Sequence, residues 1–196
     1  MNNPRNEIAA AVKALTLAPT PAVQRAAINK YFAPEAGFLH PLCTVHPGPG
    51  SREEIVGIYE WYRDMSPKVS LEVESFVYDE TQKVAYLNVV QNFHIFLSPF
   101  ASSPARLLVK VSLRKNPQDG KYYIIQQEDY YQPEDIFRLV LPFLATPIVF
   151  VKRLAGRVCG VNAAAFALTR DTIHQGMALL GFNAREGRMG NAVHQE

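Results

Sequence analysis

Three segments of helical period, four later runs of period two and a final stretch apolar on every side predict an α+β fold. Three N-terminal helices should lie against a curved antiparallel sheet, leaving a cone-shaped pocket. The final stretch should add a hydrophobic helical C-terminal extension.

The first helix spans Glu7 to Leu17, with Ile8, Ala11, Val12 and Leu15 on one side. Thr20-Pro21 supplies an N-cap and a proline at the first helical position for a second helix, Ala22 to Phe32, which Pro34 ends. Phe38 to Gly50 is punctuated by proline and glycine and reads as a connection. Ser51-Arg52-Glu53-Glu54 has the form of a capping box for a third helix, whose inner side is Ile55, Ile58, Tyr62 and Met65.

From Val69 the period changes to two. Val69, Leu71, Val73, Ser75 and Val77 face inward in a first strand, and Asp79 to Gln82 forms a hairpin turn. A long strand from Val84 to Leu97 places Ala85, Leu87, Val89, Gln91, Phe93 and Ile95 on one face, and Ser98 to Pro104 breaks it. Leu107, Val109, Val111 and Leu113 mark the third strand, and Tyr122 to Tyr131 the fourth.

Composition narrows the function. A hydrophobic fraction of 48% against 19% charged residues supports a sizeable core and excludes disorder. Net charge is +2 with no basic tract, so nucleic acid has no electrostatic case. Cys43 and Cys159 stand far apart, which implies neither a disulfide framework nor a metal site and fits a reducing, intracellular compartment. His40, His46 and His94 lack metal-ligand spacing, so no metal is expected. No Gly-rich phosphate loop, nucleophile elbow or paired-cysteine motif occurs, and no cofactor is expected.

Tyr31-Phe32-Ala33-Pro34-Glu35-Ala36, Phe38-Leu39-His40-Pro41, Ser51-Arg52-Glu53-Glu54-Ile55 and Tyr59-Glu60-Trp61-Tyr62 occur in an order that resembles the nuclear-transport-factor-2-like, or SnoaL-like, superfamily. Gln91 to Phe100 and Tyr122 to Gln132 narrow the resemblance to its fungal SigF-like branch. It covers residues 5–135, with 136–182 as the apolar extension and 183–196 as a flexible tail. The resemblance implies a conical barrel with a deep pocket, often dimerised through its sheet. It implies no single activity, because the fold hosts isomerases, cyclases, dehydratases and binding modules. The acid–base pattern of the ketosteroid isomerases has no residue-by-residue match here.

Two residues are candidates for proton transfer. Asp129 and Glu128 point to opposite faces of the fourth strand, so only one enters the cavity. A carboxylate among apolar walls has a raised pKa and serves as general acid or base; a solvated strand end or a helix cap is the plainer role. His40, before a proline at the mouth of the cone, could shuttle a proton or anchor the loop. Tyr31, Tyr59, Tyr62, Gln91 and Phe93 are candidate ligand contacts.

Three functions follow: a module binding a small apolar or lipid-like molecule, placed first; a cofactor-free isomerase, cyclase or dehydratase using Asp129 and His40; and a dimerisation or protein-interaction module. Ile136 to Val151, followed by Lys152, Arg153 and Arg157, falls short of the roughly 20 residues that span a bilayer. Peripheral association with a membrane or lipid droplet is expected, against the alternative that this helix closes the cone or pairs two copies.

Overall fold

The computed structural model describes residues 1–94, 103–140 and 142–179. The chain divides into two compact units, Met1–Val149 and Phe150–Glu196. The first opens with α1 (Pro4–Thr16), α2 (Pro21–Tyr31), β1 (Phe32–His40), β2 (Cys43–Val45) and α3 (Ser51–Met65). It continues through β3 (Ser70–Asp79), β4 (Val84–Phe93), β5 (Ser103–Lys115), β6 (Tyr122–Tyr131) and α4 (Pro133–Val140). The last helix, α5 (Pro142–Leu179), begins in the first unit and supplies the described part of the second.

The α+β class holds, and the curved, unclosed sheet has six strands in the order β2-β1-β6-β5-β4-β3. Its meander β3–β6 is antiparallel as expected. The wholly antiparallel expectation is corrected at one seam, because β1 runs parallel to β6. The stretch expected to be a connection supplies β1 and β2. Pro34 does not stop the chain: it lies where the β1–β6 register shifts between Phe32 and Gly37, so its missing N–H breaks no regular ladder. At Gly37 a Cβ would stand 2.1 Å from Gln126 Oε1 and 2.8 Å from the Pro47 ring, so a larger residue would force both side chains to shift.

Local signals explain most boundaries. Thr20 Oγ1 accepts the Val23 N–H, as the cap predicts. Asp79 Oδ1 accepts the N–H groups of Thr81 (2.8 Å) and Gln82 (2.9 Å), closing the β3–β4 hairpin. The capping box is corrected: Gly50, with φ of 83°, is the N-cap of α3, and the buried Ser51 hydroxyl begins the helix itself. Among the described residues that hydroxyl has no partner.

The core joins Ile8 and Leu15 of α1, Ile28 of α2, Ile55 and Val56 of α3, and the inner rows of β4, β5 and β6. The inward phase of β4 is as expected through Phe93; Ile95, Phe96 and Leu97 lie outside the described residues. In β3 the register shifts between Val73 and Ser75, leaving Glu74 as an extra residue. The alternation then reverses, so Val77, expected inside, is 68% exposed, while Tyr78 turns toward the core. Val77→Ser should therefore change stability by no more than about 0.5 kcal/mol. Leu87→Ala, at a fully buried site, should cost roughly 2–5 kcal/mol. Urea melts of the two variants check the reversed phase.

Candidate active site

Between the helices and the inner face of the sheet lies a cavity of about 320 Å³. Alternation along β6 decides which groups reach it. Gln127, Asp129 and Tyr131 line the cavity. Glu128 accepts a hydrogen bond from Lys110 Nζ (2.7 Å), its cross-strand partner on β5, and another from the Tyr130 hydroxyl. Asp129 is thus the carboxylate that enters the site, and Glu128 belongs to a surface ion pair.

A short relay fixes Asp129. The Tyr59 hydroxyl donates to Gln127 Oε1 at 3.1 Å. That sets the amide so that Gln127 Nε2 donates to Asp129 Oδ1 at 3.0 Å and Oδ2 at 3.3 Å. The carboxyl keeps partial exposure because it faces the lumen, yet protein surrounds it on its other sides. Loss of hydration pushes its pKa up to about 7, against the Gln127 hydrogen bond, which favours the ionised form.

His40 ends β1, which the parallel pairing with β6 carries alongside the Asp129 strand. The Leu42 N–H donates to His40 Nδ1 at 3.2 Å, so Nδ1 holds a lone pair and the neutral ring carries its proton on Nε2. The Tyr62 hydroxyl is 3.1 Å from the same Nδ1 and acts as a second donor. The ring is buried, stacks on Phe38 and meets Tyr131 edge-on, and loss of hydration lowers its pKa to about 4. It is neutral at physiological pH. His40 and Asp129 share the cavity without bonding to each other.

Tyr59 and Tyr62, spaced i and i+3 on α3, both reach the cavity, and burial raises both phenols. Burial also raises Tyr131, whose hydroxyl lies 3.5 Å from Gln91 Oε1. Phe93 closes on Tyr62 edge-on. Arg63 is the cation of the lining. Its Nη1 donates to the buried Gln24 Oε1 (3.0 Å), and Gln24 Nε2 donates to the Leu15 carbonyl (3.0 Å). Val12 of α1, Leu71 of β3, and Leu107 and Val109 of β5 are among the aliphatic side chains of the remaining wall.

Asp129, His40, Tyr59, Tyr62, Gln91 and Phe93 therefore meet at one cavity. Tyr31 does not: it is buried at the end of α2, with Lys30 Nζ 5.0 Å from its ring, and does not line the cavity. Sequence reasoning missed Gln127 and Tyr131, although each stands two residues from Asp129 on a strand whose alternation places all three on one face. It also missed Gln24 and Arg63, which no periodicity singles out from other polar helix residues. Among the described residues, no group of three or more His, Cys, Asp and Glu side chains could hold a metal ion.

Solved structures share the fold. A solved NTF2-like protein of unknown function from Burkholderia pseudomallei aligns with a TM-score of 0.53 at 11% identity, covering 72% of this chain and 98% of that one. A Catenulispora acidiphila protein of ketosteroid isomerase-like fold, solved with trimethylamine, aligns with a TM-score of 0.50 at 18% identity, covering 66% and 90%. A putative SnoaL-like polyketide cyclase from Jannaschia gives 0.50 at 11% identity, covering 67% and 89%. These likenesses establish the fold alone. No curated protein matches the chain. The model of the SigF NTF2-like domain matches residues 1–170, and the chain belongs to that family.

Proposed function

We propose that the cavity binds a small, largely apolar carbonyl compound and that Asp129 transfers a proton on it without a cofactor, as an isomerase, cyclase or dehydratase would. One observation carries this reading: a desolvated carboxyl with a pKa of about 7 faces the lumen of a largely apolar cavity and is held there by Gln127. A group titrating near neutrality suits general acid–base work.

Ionised Asp129 takes a proton from carbon next to the carbonyl. The C–H bond breaks, its electron pair moves to the carbonyl oxygen as an enolate, and the protonated carboxyl returns the proton at another atom. His40, neutral with its proton on Nε2, serves as a hydrogen-bond donor to that oxygen. The raised Tyr62 phenol stays protonated and keeps donating to His40 Nδ1, which holds the ring proton on Nε2 for that oxygen.

Deuterium exchange into cyclohexenone and larger apolar enones in heavy water, followed by NMR, tests this. Exchange should rise with pH and level off above about 7, as Asp129 ionises. Asp129→Asn should lower it by roughly 10²–10⁴-fold. Trp61, the single tryptophan, lines the cavity, so its fluorescence should report unchanged ligand entry. Exchange by the asparagine variant at the wild-type rate would remove Asp129 from the chemistry. The second reading, a plain binding module, is favoured by the lining itself, where aliphatic and aromatic side chains greatly outnumber charged ones. Ligand-quenched Trp61 fluorescence without exchange into any enone selects that reading.

A further inference from the structure

Phe150, Leu154, Val158 and Val161 follow one another at steps of four, four and three, which places them on one side of α5. They are 65%, 49%, 48% and 69% exposed. Single exposed apolar side chains are ordinary, but a contiguous stripe of them signals an interaction surface. The run expected to meet lipid, Ile136 to Val151, lies almost wholly in the first unit, where Ile136 and Phe137 are half-buried and Ala145 is buried. The exposed stripe begins at its end.

Charge indicates what covers it. Lys152, Arg153 and Arg157 are exposed within the same stretch, and no acidic residue occurs between Phe150 and Arg170. Arg153 and Arg157 stand four apart, a like-charge pair that weakens an isolated helix. A second copy laid on this side would bring further cations and no acid from the stripe segment. A negatively charged surface would complement Arg153 and Arg157 while burying the apolar stripe. Among the described residues no helix is long and apolar enough to cross a membrane, so the helix would lie in the interface plane. We infer that Phe150, Leu154, Val158 and Val161 insert into an anionic lipid surface, with Arg153 and Arg157 at the headgroups.

Flotation of the full chain with vesicles tests this, using phosphatidylcholine alone and phosphatidylcholine with phosphatidylserine. The chain should float with the serine-lipid vesicles, and high salt should weaken the association. Lys152→Glu, Arg153→Glu and Arg157→Glu together should weaken binding at least about 100-fold. Leu154→Ser with Val158→Ser should also release the chain, and an unchanged melting temperature separates both results from misfolding. Failure to float with either vesicle overturns the inference, as does equal flotation with both. So does a dimer in light scattering that Leu154→Ser with Val158→Ser dissolves, since a second copy would then own the stripe.

Discussion

Asparagine at position 129 is expected to stabilise the chain above neutral pH, by up to about 4 kcal/mol near pH 8. The folded carboxyl holds its proton up to about pH 7, whereas the unfolded one releases it near 3.8. Between those values the folded state binds more protons, so stability falls as pH rises. The favourable contribution is complete below 3.8 and gone above about 7. Asparagine has no proton to lose, and its Oδ1 can still accept from Gln127 Nε2. Urea midpoints measured across this range should show the variant drawing ahead of the wild type from about pH 4, with the full difference reached by about pH 7. A variant less stable than the wild type at alkaline pH would mean that the ionised carboxylate is well solvated, and would weaken the case for Asp129 as an acid–base group.

Substitution of His40 should expose the opposite term. The folded ring stays neutral down to about pH 4, while the unfolded ring takes a proton below 6.5. In that interval the unfolded state binds more protons, so the contribution of His40 is complete above 6.5 and falls by roughly 3 kcal/mol as pH drops to 4. Asp129 changes stability in the other direction over nearly the same interval. Their joint contribution in the wild type is therefore close to level. The neighbouring Tyr59, Tyr62, Tyr131 and Cys43 are all raised by burial and titrate outside it. His40→Asn keeps an acceptor for the Leu42 N–H and should leave a stability that declines steadily from about pH 4 to 7. Asp129→Asn should show the reverse slope, and the double variant should be level again. Equal slopes in all four proteins would place the pH dependence elsewhere.

The sequence made the meander legible because β4, β5 and β6 each bury one face, and period two survives wherever that holds. It failed in β3, where one inserted residue at Glu74 reverses every later side chain without altering composition. It failed again at β1, whose partner is the distant β6. Pro34 reads locally as a breaker, while its tolerance depends on tertiary pairing. Asp129 and His40 were found because titratable groups are rare on apolar faces. Gln127 passed unnoticed, unlike Gln91, because it sits in the polar run Gln126-Gln127-Glu128-Asp129, where no apolar alternation marks the inward face.

The parallel seam between β1 and β6 bears on how the site forms in time. The meander closes by short hairpins, but the seam joins segments far apart in the chain and requires a long loop to close first. His40 belongs to one side of that seam and Asp129 to the other, so an intermediate with a complete meander would still lack the site. Amide exchange along Gly37–Leu39 should thus open at lower free energy than along the hairpin-paired strands. A molecule in the cavity, touching both sides, should slow that opening and leave the hairpins unaffected.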